Sequence, residues 1–121
     1  MTALPERLSM ENYCYLTTTG RVSGHPHEIE IWFGIKENTL YLLSGGDSSD
    51  WLKNLKKNPN VTVRIAKRTF ACHARILTDE QEAAPVRRLL DAKYQGWREG
   101  RRLSHWARTA IPVAIELNQG E

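Results

Sequence analysis

The stretch from His27 to Ile35 alternates without interruption between two sets of side chains. One set is His27, Ile29, Ile31, Phe33 and Ile35, and the other is Glu28, Glu30, Trp32 and Gly34. Successive side chains of a β-strand point to opposite faces of a sheet. The pattern therefore predicts one half-buried antiparallel strand, which must find partner strands elsewhere in the chain.

Other short runs that are rich in β-branched and aromatic residues predict those partners. They cover residues 12–19, 39–44, 60–65, 69–77 and 111–117, which makes about six strands in all. Residues 36–38 form a short hairpin connection. Pro112 suits a sheet edge or the start of a strand, because proline has no N–H to donate.

Two or three helices are predicted between these strands. Ser48 or Ser49 can cap a helix over residues 51–57, which Asn58-Pro59 ends. Thr78 and Gln81 have the spacing of a capping box, and the helix they begin runs toward Tyr94, with Pro85 as a place where it can bend. Residues 97–106 predict a further helical piece.

The size of the chain fits this inventory. With 121 residues and 40% hydrophobic side chains, residues 1–121 can form a single domain with one core. No apolar run reaches the length of about 18 residues that a membrane span needs, and the first residues lack the layout of a secretory signal. We expect a soluble, cytoplasmic protein built as a small antiparallel barrel or sheet with helices laid against it, a mainly β (α+β) fold.

The net charge of +3 is unevenly distributed. Between Trp51 and Thr78 every charged residue is basic: Lys53, Lys56, Lys57, Arg64, Lys67, Arg68 and Arg75. Such a run indicates either an ordinary solvated face or a surface for a polyanion, which could be nucleic acid or a phosphorylated, polycarboxylate ligand. A nucleic-acid-binding module is the weaker alternative, because the run lacks clustered aromatic residues for base stacking.

Two glycine-rich loops are candidates for ligand binding. The turn Gly20–Pro26 can bring backbone N–H groups close to an anion, with Arg21 and Ser23 as additional donors. The loop Ser44–Trp51 leads from a strand into a helix N-terminus, which offers free N–H groups. The Gly20–Pro26 turn has the spacing of neither a P-loop nor a dinucleotide-binding fingerprint.

Most kinds of catalytic site find no support. Cys14 and Cys72 lie in no reactive motif and are expected to be small buried side chains. His25 and His27 could share a strand face, but no further ligand completes a metal site, so we expect none. What remains is a scaffold whose aromatic residues Trp32, Trp51, Tyr94 and Trp97 could bracket a flat cofactor that performs the reaction.

The order of segments resembles the deazaflavin-dependent nitroreductase family over nearly the whole chain. The resemblance rests on residues 16–26, Ser44-Gly45-Gly46, residues 51–63, residues 74–80 and residues 108–113. It implies a split β-barrel of the kind found in pyridoxamine-phosphate oxidases. It also implies hydride transfer from reduced coenzyme F(420), which carries a phosphate and an oligoglutamate tail, to a quinone, a nitroaromatic or another small conjugated acceptor. Solvent or the Tyr94 hydroxyl would return a proton.

The same resemblance implies the site residues. Arg21, Val22 and Ser23 line the phosphate end of the cofactor; Trp32 lies beside the ring; Ser44, Gly45 and Gly46 contact the ring by backbone; Trp51 and Asn54 lie at the groove; Tyr94 and Trp97 cover the substrate. Many members have lysine at the position of Val22 and arginine at that of His27, which keeps FMN open as an alternative cofactor. A homodimer is also implied.

Overall fold

The computed structural model describes residues 6–45 and 49–117, which form a curled antiparallel sheet with helices packed against it. A 3-10 helix, Glu6–Met10, comes first. The strands are β1 (Cys14–Thr19), β2 (Pro26–Ile31), β3 (Gly34–Lys36), β4 (Thr39–Ser44), β5 (Asn60–Ile65), β6 (Arg68–Ile76) and β7 (Ile111–Glu116), and the helices are α1 (Asp50–Lys57), α2 (Glu80–Gln95) and α3 (His105–Thr109). None of the described helices is long and apolar enough to cross a membrane.

The strands pair in the order β2-β1-β5-β6-β7-β4-β3, so that consecutive strands β2 and β3 lie at opposite edges of the sheet. The concave side encloses the main core, which includes Leu16, Phe33, Leu42, Val63 and Ile115. A second cluster lies under α2 and contains Leu43, Val86 and Leu90. Cys14 and Cys72 are both buried, as their sequence context predicts.

The single strand predicted over residues 27–35 is wrong, because the chain leaves the sheet at Trp32 and Phe33. The backbone of Phe33 forms hydrogen bonds with side chains of α2 instead of a neighbouring strand. Its N–H donates to the Tyr94 hydroxyl over 3.0 Å, and its carbonyl accepts from Lys93 Nζ over 3.0 Å. The break turns one alternating segment into the two edge strands β2 and β3, which gives seven strands in place of about six.

The helix predictions are correct in outline but differ from the structure in how the helices begin. Ser49 stands at the N-cap of α1, yet its hydroxyl makes no capping bond; Ser48 lies outside the described residues. Asp79, rather than Thr78, caps α2 by accepting from the Gln81 amide. The helix predicted over residues 97–106 is only α3, because Gly96 and Gly100 adopt positive φ angles that interrupt helical geometry.

Pro112 lies in the interior of the sheet and not at an edge. β7 pairs with β6 on one side and with β4 on the other, where Pro112 stands opposite Leu43. Its carbonyl accepts from the Leu77 amide, so the residue contributes an acceptor where it cannot donate. The alternative prediction, that Pro112 stands near the start of a strand, is correct.

Candidate functional site

The turn between β1 and β2 is tightly folded. The Gly20 amide donates to His25 O, and the Gly24 amide donates to Gly20 O, which closes the turn on itself. A methyl group at Gly20 would lie 2.6 Å from Ser23 Oγ and 2.7 Å from His27 Nε2, so glycine allows both polar side chains to approach the backbone. The Ser23 hydroxyl also accepts from the His25 amide.

Asn54 attaches this turn to α1. Its side chain is buried and its Oδ1 atom accepts from the Arg21 amide over 3.1 Å and from the Arg21 guanidinium over 2.8 Å. Its Nδ2 atom donates to Thr18 Oγ1 on β1 over 3.2 Å. Lys57, one turn further along α1, donates to Arg21 O over 3.0 Å. One buried amide therefore fixes the turn, the helix and the strand relative to one another.

A cleft of about 640 Å³ opens between the turn and the helix, and we call it the α1 cleft. It is lined by Thr18, Gly20, Arg21, Val22, Ser23, Pro26, His27, Glu28, Ile29, Asp50, Trp51 and Asn54. Both acidic side chains in this lining are engaged in ion pairs, Asp50 with Arg21 at 3.3 Å and Glu28 with Arg64 at 3.2 Å. The lining thus brings together Arg21, Val22, Ser23, Trp51 and Asn54, which are five of the residues that the family resemblance implies for the cofactor site.

Two main-chain donors of the turn are free. Within the described residues, neither the Val22 amide nor the Ser23 amide has a hydrogen-bond acceptor. The Val22 side chain is 94% exposed, so this residue can contribute through its main chain while its side chain lies in solvent. Successive free amides beside a serine hydroxyl and an arginine form a concave anion-binding surface.

The basic run between Trp51 and Thr78 does not form one continuous face. Lys53 and Lys57 follow Asp50 and Asn54 on α1 and stand at helical spacing beside the α1 cleft. Arg64 and Arg75 are engaged in ion pairs, and the side-chain hydrogen bond with Glu82 raises the pKa of Arg75. Lys67 and Arg68 lie at the β5–β6 hairpin. This division favours a local anion site over an extended nucleic-acid surface.

The second glycine loop is only partly described. Ser44 is buried, and its hydroxyl lies 2.7 Å from that of Ser49, which ties the end of β4 to the start of α1. A methyl group at Gly45 would meet no atom of the described residues within 4 Å, so those residues leave room for a ligand beside its backbone. Gly46 lies outside the described residues.

The predicted aromatic residues do not all share one site. Trp32 stacks on Tyr94 with ring centroids 4.3 Å apart and meets Trp106 edge-on at 5.4 Å. Trp32 and Trp106 line a second cleft of about 280 Å³ together with Tyr13, Glu30, Ile31 and Leu43, and we call it the aromatic cleft. Trp97 lines neither cleft; its indole N–H donates to Arg101 O over 2.7 Å.

Three backbone groups lie within hydrogen-bond distance of the Tyr94 hydroxyl. It accepts from the Phe33 amide and lies 2.8 Å from Asn12 O and 3.0 Å from Phe33 O. Burial raises the pKa of Tyr94 to about 12, which makes the hydroxyl a poor acid near neutral pH. Of the two proton sources considered from the sequence, the geometry favours solvent.

Some residues of the two clefts have no recognisable signal in the sequence. Thr18 and Ile29 look like ordinary strand residues, and the contact of Lys57 with Arg21 depends on how α1 packs. Trp106 was part of a predicted helix and had no assigned role in a site. Only the short separation of Gly20, Ser23 and His27 offered a sequence signal for their proximity.

The model of the F(420)H(2)-dependent quinone reductase family matches residues 2–118. The chain belongs to this family. The protein is therefore an enzyme, an F(420)-dependent reductase, and its cofactor is coenzyme F(420). A search of curated proteins finds no match.

Solved structures confirm the fold. A conserved hypothetical protein of Mycobacterium tuberculosis is 16% identical, with a TM-score of 0.80 over 96% of this chain and 82% of its own. A Listeria innocua protein named as a pyridoxamine 5'-phosphate oxidase is 19% identical, with a TM-score of 0.69 over 93% and 88%. A structure named F(420)-H2 dependent reductase is 25% identical, with a TM-score of 0.64 over 88% and 94%. The split β-barrel prediction is correct.

The residues of the α1 cleft fit the cofactor of this reductase family. Free amides at Val22 and Ser23, with the Arg21 guanidinium, are suited to a phosphate group. The exposed lysines of α1 add positive charge for an acidic tail. A cleft of about 640 Å³ also falls within the volume range that organic ligands occupy.

Proposed function

We propose that this reductase transfers a hydride from reduced F(420) to a quinone, a nitroaromatic or another small conjugated acceptor, and that the α1 cleft holds the cofactor. The observation that supports this most is the Asn54 clamp. A buried side chain that makes three hydrogen bonds to the turn and to β1 fixes the turn while leaving the next two amides free. Preorganised donors of this kind bind an anion without a further ordering cost.

Different residues of the chain would contact different parts of the cofactor. Arg21, Ser23 and the main chain of Val22 would hold the phosphate end, and Lys53 and Lys57 the acidic tail. Trp51 is half-buried against the core and, with Ile29, gives the cleft an apolar wall for a flat ring. The backbone of Gly45 and the Trp32 side chain remain proposed ring contacts that extend from this cleft toward the aromatic cleft.

The bound cofactor supplies the hydride. A quinone becomes a hydroquinone when it gains that hydride, which carries two electrons, and one proton, which solvent provides. The protein must therefore hold the acceptor at contact distance, since hydride transfer depends on positioning. We also propose a homodimer, which rests on the family resemblance alone, and a cytoplasmic location, which is the expectation from the sequence.

A fluorescence titration with F(420) tests this assignment through a matched pair of variants. Lys57→Gln removes a positive charge beside the Arg21 carbonyl, and Lys67→Gln removes one at the β5–β6 hairpin. We expect Lys57→Gln to weaken binding at least threefold and Lys67→Gln to leave it unchanged. Equal effects of the two variants, or no binding by the unaltered protein at high micromolar F(420), would overturn the proposal.

A further inference from the structure

We propose that the aromatic cleft binds the electron acceptor and selects uncharged, planar rings. This inference rests on the proposed function, because it concerns the substrate of the same reaction. It assigns a binding role to Tyr13, Trp106 and Glu30, and it gives the acceptor a site separate from the α1 cleft.

The walls of the cleft suit a flat, electron-poor ring. Trp32 and Trp106 contact each other at an interplanar angle of 84°, with ring centroids 5.4 Å apart, and both border the cleft. The buried Leu43 and Tyr13, which is 45% exposed, also line it. Quinone and nitroaromatic rings stack on indole because indole is electron-rich. At about 280 Å³ the cleft is matched to a small ring system.

Both tryptophans are held in place before any ligand arrives. The Tyr94 ring lies parallel to Trp32 at 4.3 Å, and its hydroxyl fixes the Phe33 backbone next in the chain. Trp106 belongs to α3, whose N-cap residue Ser104 donates both its amide and its hydroxyl to the buried carboxylate of Asp91 on α2. Aromatic walls that are already ordered lose little side-chain entropy when a ligand binds.

The two clefts follow each other along the free edge of β2. Glu28 and Ile29 line the α1 cleft, and the next two residues, Glu30 and Ile31, line the aromatic cleft. Residues two apart on a strand are separated by about 7 Å. A ring that extends from the α1 cleft and a ring in the aromatic cleft would therefore be neighbours, as hydride transfer requires.

Glu30 gives the aromatic cleft its charge preference. Among the described residues that line this cleft it is the acidic one, and none of them is basic. Its Oε1 atom accepts from the Tyr15 hydroxyl on the outer face of the sheet. A carboxylate at the rim repels an anionic acceptor and leaves a neutral one unaffected.

The first test compares variants of Trp106 with 1,4-naphthoquinone as the acceptor. We expect Trp106→Leu to raise KM for the quinone at least fivefold, Trp106→Phe to raise it less, and both to keep the F(420) affinity, which also reports that the variants fold. Tyr13→Ala, at an exposed position, should raise KM about threefold. Without cofactor, the quinone should quench tryptophan fluorescence in the unaltered protein and less in Trp106→Leu.

The second test compares 1,4-naphthoquinone with its 2-sulfonate. The unaltered enzyme should prefer the neutral quinone, and Glu30→Gln should reduce that preference at least threefold, whereas Glu116→Gln, an exposed control on β7, should not. Unchanged KM and quenching in Trp106→Leu, with F(420) bound and quinone reduced, would overturn this inference and leave the proposed function intact. If the unaltered protein does not bind F(420), the proposed function is overturned, and this inference with it.

Discussion

The two clefts along the edge of β2 differ in the groups that line them, which are mainly polar and charged in one and aromatic and aliphatic in the other. The α1 cleft is a main-chain and amide structure in which Asn54 positions the turn and lysines supply charge. The aromatic cleft has indole and aliphatic walls and a single carboxylate at its rim. Four consecutive residues of one strand connect them. Under the two proposals, a small barrel would hold a highly charged cofactor and an uncharged acceptor side by side, each in a cleft of matching polarity.

The difference follows from the neighbours that each half of β2 acquires. Its first half meets α1, whose polar face carries Asp50 and Asn54. Its second half lies near α3, which Arg87 and Asp91 of α2 anchor through hydrogen bonds at both ends. The clefts should therefore respond independently to mutation, and the predictions below test that independence.

The largest effect is expected from Asn54→Ala. It removes the acceptor of the Arg21 amide and the donor to Thr18 in a buried position. We expect F(420) affinity to fall at least tenfold and the free energy of unfolding to fall by about 2 kcal/mol. Titration and urea denaturation measure the two quantities. Asn60→Ala, at an exposed asparagine on β5, is the matched control. If quinone quenching of Trp106 also disappears in Asn54→Ala, the two clefts are not independent.

Tyr94→Phe tests the other half of the comparison. The variant keeps the ring that stacks on Trp32 but removes the hydroxyl that holds both polar groups of the Phe33 backbone. We expect a loss of about 1–2 kcal/mol in the free energy of unfolding and a raised KM for the quinone, with F(420) affinity unchanged. A weaker affinity for F(420) in Tyr94→Phe would contradict separate clefts.

Salt should separate the two binding events without any mutation. Attraction between exposed lysines and an acidic cofactor is screened by ions, whereas stacking on indole is not. Raising the salt concentration from about 0.05 M to about 0.5 M should weaken F(420) binding severalfold and leave KM for 1,4-naphthoquinone nearly constant. Titrations and rate measurements at a series of salt concentrations give the F(420) affinity and the KM for the quinone. Equal salt dependence of these two quantities would contradict an electrostatic difference between the clefts.

Alkaline pH should also change the stability of the protein. Burial raises the pKa of Cys14 from 9.0 to about 12 and that of Tyr94 from 10.0 to about 12. The unfolded chain then loses these protons first, so stability present below pH 9 should fall as pH rises toward 12. Burial lowers the pKa of Lys93. At pH values below the usual lysine pKa, this group therefore makes stability rise with pH, which is opposite to the effect of Cys14 and Tyr94. Cys14→Ala should flatten the decline measured by denaturation at stepped pH; an unchanged slope would contradict it.

The sequence predicted the strands better than the clefts because strand patterns are local. The positions of β4 and β5 match their predicted ranges, and residues 12–19 include all of β1. The break at Trp32 could not be predicted, because the groups that replace the strand ladder come from Lys93 and Tyr94 on α2. The role of Asp91 could not be predicted either, because this buried acid accepts a hydrogen bond from Ser104, which lies in an irregular segment.

By itself the sequence determined the type and order of most elements and the glycine turn of the α1 cleft, since each depends on residues close together in the chain. The order of the segments along the chain carried the family resemblance. Only the tertiary structure decided that one alternating segment becomes two edge strands, that the basic run is divided, and that Trp32 meets Trp106 rather than Trp97. Most of those outcomes depend on groups far apart in the chain, for example the Tyr94 hydroxyl and the Phe33 backbone, which are 61 positions apart. Local pattern carries no information about such pairs.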